Sequence, residues 1–207
     1  MAVSFPNRRL DYTAGNKCRP VMIGKIYISH AKADQHLAQS LAAALGRLGL
    51  ESQWASFRQP AELGWAERVM YGIRSSDLLV ALITEEGSLS RTVHQEIGFA
   101  RGIDHLIVPL IEEGSELPFL IDHLTPIPFS PQRFPDAVGS LIRAIRAFTR
   151  LEWLRVSCPH CGEEMTQYLP TQDSVDRAWA GRTGLETMCS YCQKGITIDP
   201  RDFSPCR

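Results

Sequence analysis

The chain has 207 residues, 44% hydrophobic and 22% charged, the profile of a globular protein with room for one ordinary domain and a small module. Its 22 basic and 23 acidic residues leave a formal charge of −1, which gives no support to a sequence-independent grip on nucleic acid or on an anionic membrane. The apolar runs at 78–83 and 106–111 are too short to span a bilayer.

Residues 1–22 carry Arg8, Arg9, Lys17 and Arg19 without an apolar core segment, which is not the pattern of a secretory signal. They read as a flexible lead-in, and the chain as cytoplasmic. Residues 23–29 form an apolar strand. Leu37, Leu41, Ala44, Leu45 and Leu48 then recur at helical spacing, and Gly49 suits the cap that ends this helix. Residues 51–55 predict a second strand, and 56–64, with Pro60 and Gly64, a loop. Trp65, Val69 and Ile73 recur every four residues and predict another helix. Residues 77–84 are a continuous apolar strand, the type expected where both faces of a sheet are covered. A helix over 92–101 turns Val93, Ile97 and Ala100 inward. Strands at 105–111 and 125–129 follow, and Val138, Leu141, Ile142, Ile145 and Phe148 define a last helix that runs on towards Arg155.

Alternating strands and helices over 23–150 predict an α/β fold. It is a five-stranded parallel sheet with helices on both faces, in the flavodoxin-like order 2-1-3-4-5. Ligands of such sheets bind beyond the carboxyl ends of the strands, where the order reverses between strands one and three. That crevice is bounded here by Ser29, His30 and Ala31 and by the segment from Thr84 to Ser90, and the helix carrying Glu96 starts at its edge. Backbone N–H groups at 29–32, where a loop enters a helix, can receive phosphates, and Lys32 adds a point charge. No Gly-x-Gly-x-x-Gly fingerprint is present, which argues against a hydride-transfer dinucleotide domain.

Ile26-Tyr27-Ile28-Ser29-His30-Ala31, followed by Asp34, resembles the first box of a Toll/interleukin-1 receptor (TIR) domain. Ile73-Arg74-Ser75-Ser76-Asp77-Leu78-Leu79-Val80 is similar to the family's third-strand segment, and Glu96-Ile97-Gly98-Phe99-Ala100 to the catalytic helix of its prokaryotic branch. Many TIR domains cleave NAD at the nicotinamide–ribose bond. In bacteria they commonly serve anti-phage defence, with ADP-ribose or its cyclic isomers as signals. The resemblance therefore implies an NAD+ glycohydrolase or cyclase that self-associates through its TIR domains and signals to a partner effector protein. It makes Glu96 the catalytic glutamate of a Ser-x-Trp-x-x-x-Glu motif, in which Ser90 matches and Thr92 stands at the Trp position. The loop from Ser56 takes the place of the family's mobile BB loop, where Phe57 would stack on a ring and Arg58 would meet a phosphate. Ser29, His30, Ala31, Lys32, Thr84 and Ser90 complete the implied NAD site.

One carboxylate suffices for this chemistry. Nicotinamide leaves as a neutral molecule and needs no general acid, while the positive charge on an oxocarbenium-like ribose is what a carboxylate stabilises. Read without context, Glu96 is an ordinary helix-surface acid and His30 an ordinary loop residue, and His94 points to solvent. Two other functions stay open: a non-catalytic TIR scaffold acting by homotypic assembly, and a nucleoside deoxyribosyltransferase-like enzyme.

Cys158-Pro159-His160-Cys161 and Cys189-Ser190-Tyr191-Cys192 are two Cys-x-x-Cys pairs in a chain without an export signal, a pattern that favours metal over disulfides. Four thiolates from such knuckles suit a closed, structural Zn2+ site. The spacing between the pairs leaves room for a hairpin and an extended loop, as in a small β zinc-ribbon module. Cys18 and Cys206 read as free thiols. The module has no excess of basic residues, which fits protein contact better than nucleic acid. The chain thus divides into a lead-in (1–22), a TIR-like domain (23–152) and a four-cysteine module (153–207), each of the last two expected to have its own core.

Overall fold

The computed structural model describes residues 23–54, 64–149, 151 and 153–206. The expected lead-in with Cys18, and the loop residues Phe57 and Arg58, lie outside the described residues. Strands β1 (Lys25–Ser29), β2 (Glu51–Gln53), β3 (Leu78–Ile83), β4 (Ile107–Glu112) and β5 (Ile127–Phe129) form one parallel sheet in the order β2-β1-β3-β4-β5. This is the order that the alternation of elements predicts.

Every residue of β3 is buried, so both of its faces need apolar side chains and its sequence holds no polar one. The two-residue alternation of the strands sorts these side chains into two layers. Ile26, Ile28, Leu78, Val80 and Leu82 share a core with Leu41 and Leu45 of α1 (Gln35–Arg47) and with Leu141 and Ile145 of α5 (Phe134–Phe148). Tyr27, Leu79, Ala81 and Ile83 share the other with Val69 and Ile73 of α2 (Trp65–Arg74) and with Val93 and Ile97 of α4 (Arg91–Gly102).

Three features depart from the sequence reading. A short helix, α3 (Glu85–Leu89), turns directly off β3. It is too short to show a hydrophobic period, and it depends on Gly87, where a Cβ would lie 2.7 Å from the Leu82 carbonyl oxygen. The last helix ends at Phe148 and does not run on towards Arg155. Instead Trp153–Ser157 is strand β6, in which Leu154 and Val156 are buried and Trp153, Arg155 and Ser157 are exposed, a period of two that replaces the helical one. The third departure lies between the cysteine pairs. β6 pairs with β7 (Glu164–Tyr168), β8 (Leu185–Met188) pairs with β9 (Gly195–Ile198), and a helix, α6 (Gln172–Ala180), joins the two hairpins where the spacing predicts an extended loop.

The C-terminal module is not a separate bead. Leu154, Val156, Met165, Val175, Ile196, Ile198 and Phe203 belong to the same buried cluster as α1, α5 and their side of the sheet. Polar contacts surround this apolar junction. The Arg47 guanidinium pairs with Asp202 at 3.0 Å, Arg143 with Asp176 at 2.7 Å, and Arg146 donates to the Pro170 carbonyl at 2.7 Å. Gly139 of α5 lets the Trp179 ring in so closely that a Cβ would lie 2.6 Å from it. One continuous core predicts one cooperative transition. Leu154→Ala should remove about 2–4 kcal/mol and lower a single melting transition seen equally by probes of both parts. Two transitions, with only one displaced, would show that the parts unfold independently.

Candidate functional site

The carboxyl ends of β1 and β3 are tied together by one buried polar contact. Asp34 lies in a short 3-10 turn (Lys32–Asp34) after β1, and its Oδ2 accepts a hydrogen bond of 2.7 Å from the Thr84 hydroxyl. Thr84 Oγ1 in turn accepts from the Gly87 backbone N–H at 2.8 Å, capping α3. Thr84 therefore latches the two loops at the point where the strand order reverses. Ser90 serves the next helix in the same way: its Oγ accepts from the Val93 N–H at 3.4 Å and caps α4.

That cap sets the rotation of α4. Val93, Ile97 and Ala100 pack inward, and Glu96 falls on the same face, only 4% exposed. Glu96 is thus not a helix-surface acid. Its Oε1 accepts a hydrogen bond of 2.9 Å from the hydroxyl of Tyr27, a fully buried residue of β1. Burial pushes the Glu96 carboxyl up from its usual 4.5 to about 7, against the opposing pull of the Ser29 and Tyr27 hydroxyls. Ser29, two residues after Tyr27, faces the same side of the sheet and is itself fully buried. Its Oγ has no close hydrogen-bond partner among the described residues.

His30 takes another direction. Its ring meets Trp54 edge-on, with centroids 5.8 Å apart, and its Nδ1 lies 3.1 Å from the Ile28 carbonyl oxygen. Burial lowers its pKa and keeps the ring neutral. Ala31, Lys32 and Ser90 line an open cleft together with Glu86 and Leu89. A second cleft lies beside it, over the ends of β3 and β4, and carries Glu85, Glu112, Glu113 and Glu116. Leu89 stands on the rim of both. Neither lining includes Glu96, which lies beneath the surface. His94 is exposed and Thr92, at the position of the motif Trp, is exposed too.

Tyr27 and Asp34 are the site residues that sequence reasoning missed. Tyr27 had a legible signal. It shares a strand face with Ser29, and a tyrosine in an otherwise apolar central strand must find a buried partner for its hydroxyl.

The four module cysteines converge. Their Sγ atoms all lie within 4.8 Å of one another, with Cys158–Cys192 and Cys161–Cys189 each at 3.7 Å. A tetrahedron with metal–sulfur bonds of about 2.3 Å has sulfur atoms about 3.8 Å apart, so the group can hold a metal ion. The two knuckles share one backbone form. The Cys158 N–H donates to the Glu163 carbonyl and the Cys189 N–H to the Lys194 carbonyl, both at 2.9 Å. The residue after each second cysteine, Gly162 (φ 79°) or Gln193 (φ 57°), is left-handed. Backbone N–H groups of His160 and Tyr191 point at the Cys158 and Cys189 sulfurs from 3.4 Å, a placement that favours thiolates.

A TIR domain family profile matches residues 26–142. Solved structures are similar in fold. The TIR domain of the Toll-related receptor TRR-2 from Hydra magnipapillata is 20% identical, covers 58% of this chain and 97% of its own, and has a TM-score of 0.51. The TIR domains of the activated Roq1 resistosome are 9% identical, with 58% and 98% coverage and a TM-score of 0.49. A CMP N-glycosidase, BcmB, from Clostridium botulinum is 19% identical, with 57% and 98% coverage and a TM-score of 0.43. No curated protein matches the chain.

Burying a carboxyl has a consequence for stability. Since folding raises the Glu96 pKa from 4.5 to about 7, the folded protein binds this proton more tightly than the unfolded chain. Glu96 is then neutral to stability below pH 4.5, weakens the fold as pH rises to about 7, and weakens it no further above. The full loss is on the order of 3 kcal/mol. Glu96→Gln should therefore melt higher than the native protein at pH 8, with the gap closing towards pH 5. A native protein that melts higher than the glutamine variant at pH 8 would mean that the ionised carboxylate stabilises the fold.

Proposed function

The chain belongs to the TIR domain family, and we propose that it cleaves the nicotinamide–ribose bond of NAD+, with Glu96 as the catalytic carboxylate. The observation that carries this reading is the buried Glu96 carboxyl held against β1 at the reversal of strand order. A surface acid costs nothing to keep, whereas a desolvated one destabilises the fold and is a mark of functional sites.

As the bond breaks, its electron pair passes to the pyridinium nitrogen and nicotinamide departs neutral. The positive charge left on the ribose is stabilised by ionised Glu96, and the dry surroundings strengthen that attraction. Water then captures the sugar, losing a proton, to give ADP-ribose; capture by a hydroxyl of the same molecule gives a cyclic isomer. The diphosphate fits the cleft above, where Lys32 supplies a positive charge and the backbone after Ala31 supplies N–H groups. By the family resemblance, Phe57 would stack on a ring of the substrate and Arg58 would meet a phosphate. Because Glu96 is buried, substrate reaches it only when the elements above it move. Such a rest state suits an enzyme switched on by assembly of TIR domains, and exposed Leu89 and Phe119 beside the clefts offer apolar contacts for it.

We assign a structural Zn2+ to Cys158, Cys161, Cys189 and Cys192, where it would close four thiolates into a rigid corner of the module. The wider reading is a cytoplasmic role in anti-phage immune signalling, in which a partner effector responds to the product. No helix among the described residues is long and apolar enough to cross a membrane.

Purified protein incubated with NAD+ at a concentration that permits assembly should release nicotinamide. Glu96→Gln should lower the rate by about 10²–10³ while leaving the protein folded. No release from assembled native protein would put the scaffold reading ahead; near-native turnover by the glutamine variant would remove Glu96 from its role. The module should carry about one equivalent of zinc per chain, by analogy with other four-cysteine sites. Cys161→Ser should lose the metal and lower the melting temperature of the whole protein, since the core is shared. A metal-free protein with an ordered module would defeat the assignment.

A further inference from the structure

We propose that Tyr27 is the positioning residue of this site: its hydroxyl clamps one oxygen of Glu96, so that the other oxygen and Ser29 together face the reacting ribose. The proposal rests on the reading of Glu96 as the catalytic carboxylate. It begins from packing. Tyr27 is fully buried in β1, next to Leu79 of β3 across the ladder, and its ring fills the layer under α4. Phenylalanine would fill that layer equally well. The hydroxyl is the one part of the side chain that the core does not need, and it lies 2.9 Å from Glu96 Oε1.

The layer around that contact is apolar among the described residues. The core layer under α4 is built from Leu79, Ala81 and Ile83 of β3, Val69 and Ile73 of α2, and Ile121 of the turn after β4. The charged residues of the adjoining helices point outward, except Arg68, which is half-buried with its Nε out of water. Glu67 and Arg74 of α2, Glu85 and Glu86 of α3, and Arg91, His94 and Arg101 of α4 are all exposed, and Arg68 of α2 lies over the Trp65 ring. Besides burial, the ionisation of Glu96 responds to two hydroxyls, those of Ser29 and Tyr27. Tyr27 spends its single proton on Oε1. Ser29 Oγ is buried, makes no close hydrogen bond among the described residues and acts on the Glu96 carboxyl from the other side of the contact, so its hydroxyl is placed to turn to a sugar hydroxyl beside the second carboxylate oxygen.

Tyr27→Phe in the full chain is the test, with two readouts. The Glu96 carboxyl is followed against pH by 13C NMR of glutamate-labelled protein, with Glu96→Gln identifying its signal, and nicotinamide release is followed over the same range. A donated hydrogen bond favours the carboxylate, so its loss should move the Glu96 midpoint upward by about one pH unit. The acid limb of kcat should move with it, and kcat near pH 7 should fall about tenfold at little changed KM. Rotamer freedom of the carboxylate adds to that fall. A tyrosine that only fills space would move neither readout.

2,3-Difluorotyrosine at position 27, a stronger donor in nearly the same shape, should move the midpoint down, and it keeps the test open if the phenylalanine variant does not fold. An unchanged midpoint in both variants overturns the proposal whether or not NAD+ is cleaved. Midpoints that move in opposite directions uphold the clamp. If they do so in a protein that releases no nicotinamide, the clamp stands and the NAD+ reading is what fails.

Discussion

Full burial of β3 on both faces is the constraint from which the rest of the molecule follows. A central parallel strand of six apolar residues needs a helical layer on each side, and the chain supplies α1 with α5 on one and α2 with α4 on the other. The strand must also end somewhere. Where it ends, Thr84 turns the chain into α3, and Gly87 folds that helix back onto the Leu82 carbonyl. This tight exit delivers Ser90 as the cap of α4 and thereby fixes which face of α4 looks inward. Glu96 is buried because its helix is registered to the strand before it.

The two layers have come to do different things. One keeps a carboxyl out of water at a cost in stability, with a tyrosine from β1 as its close partner. The other gathers the larger apolar cluster and continues outward into the C-terminal module. Strain of the electrostatic kind sits on one side of the sheet, and the additional buried surface that can offset it sits on the other. That division is what a marginally stable protein with a desolvated functional group requires.

Much of the architecture is legible because it rests on periodicity. The inward faces of α1 and α4 and the pairing of the four cysteines follow from spacing that can be read residue by residue, and the sheet order from the alternation of elements and a known doubly wound order. In α2, Val69 and Ile73 turn inward but Trp65 of the same stripe is exposed. Local signals fail where tertiary contacts decide. Nothing within 85–89 announces a helix, because Gly87 is needed there for its closeness to β3 and not for a turn of its own. The last helix reads too long because Leu151, Leu154 and Val156 continue an apolar pattern, and only pairing with β7 and packing against α1 make Trp153–Ser157 a strand in place of another helical turn. In the site, Glu96 can be named from its motif, but its burial cannot. The outward path of His30 is equally hidden, since it depends on Trp54 at the end of the neighbouring strand.

The junction between the layers and the module bears on how the protein can be handled. Leu154 and Val156 do not decorate the surface of the α1–α5 layer; they finish it, and Trp179 closes over Gly139 at its edge. A protein cut after residue 149 would present that apolar ground to solvent and to other copies of itself, and would invite aggregation in place of ordered assembly. Silence from such a fragment would report on a missing wall, not on the chemistry of the carboxyl across the sheet.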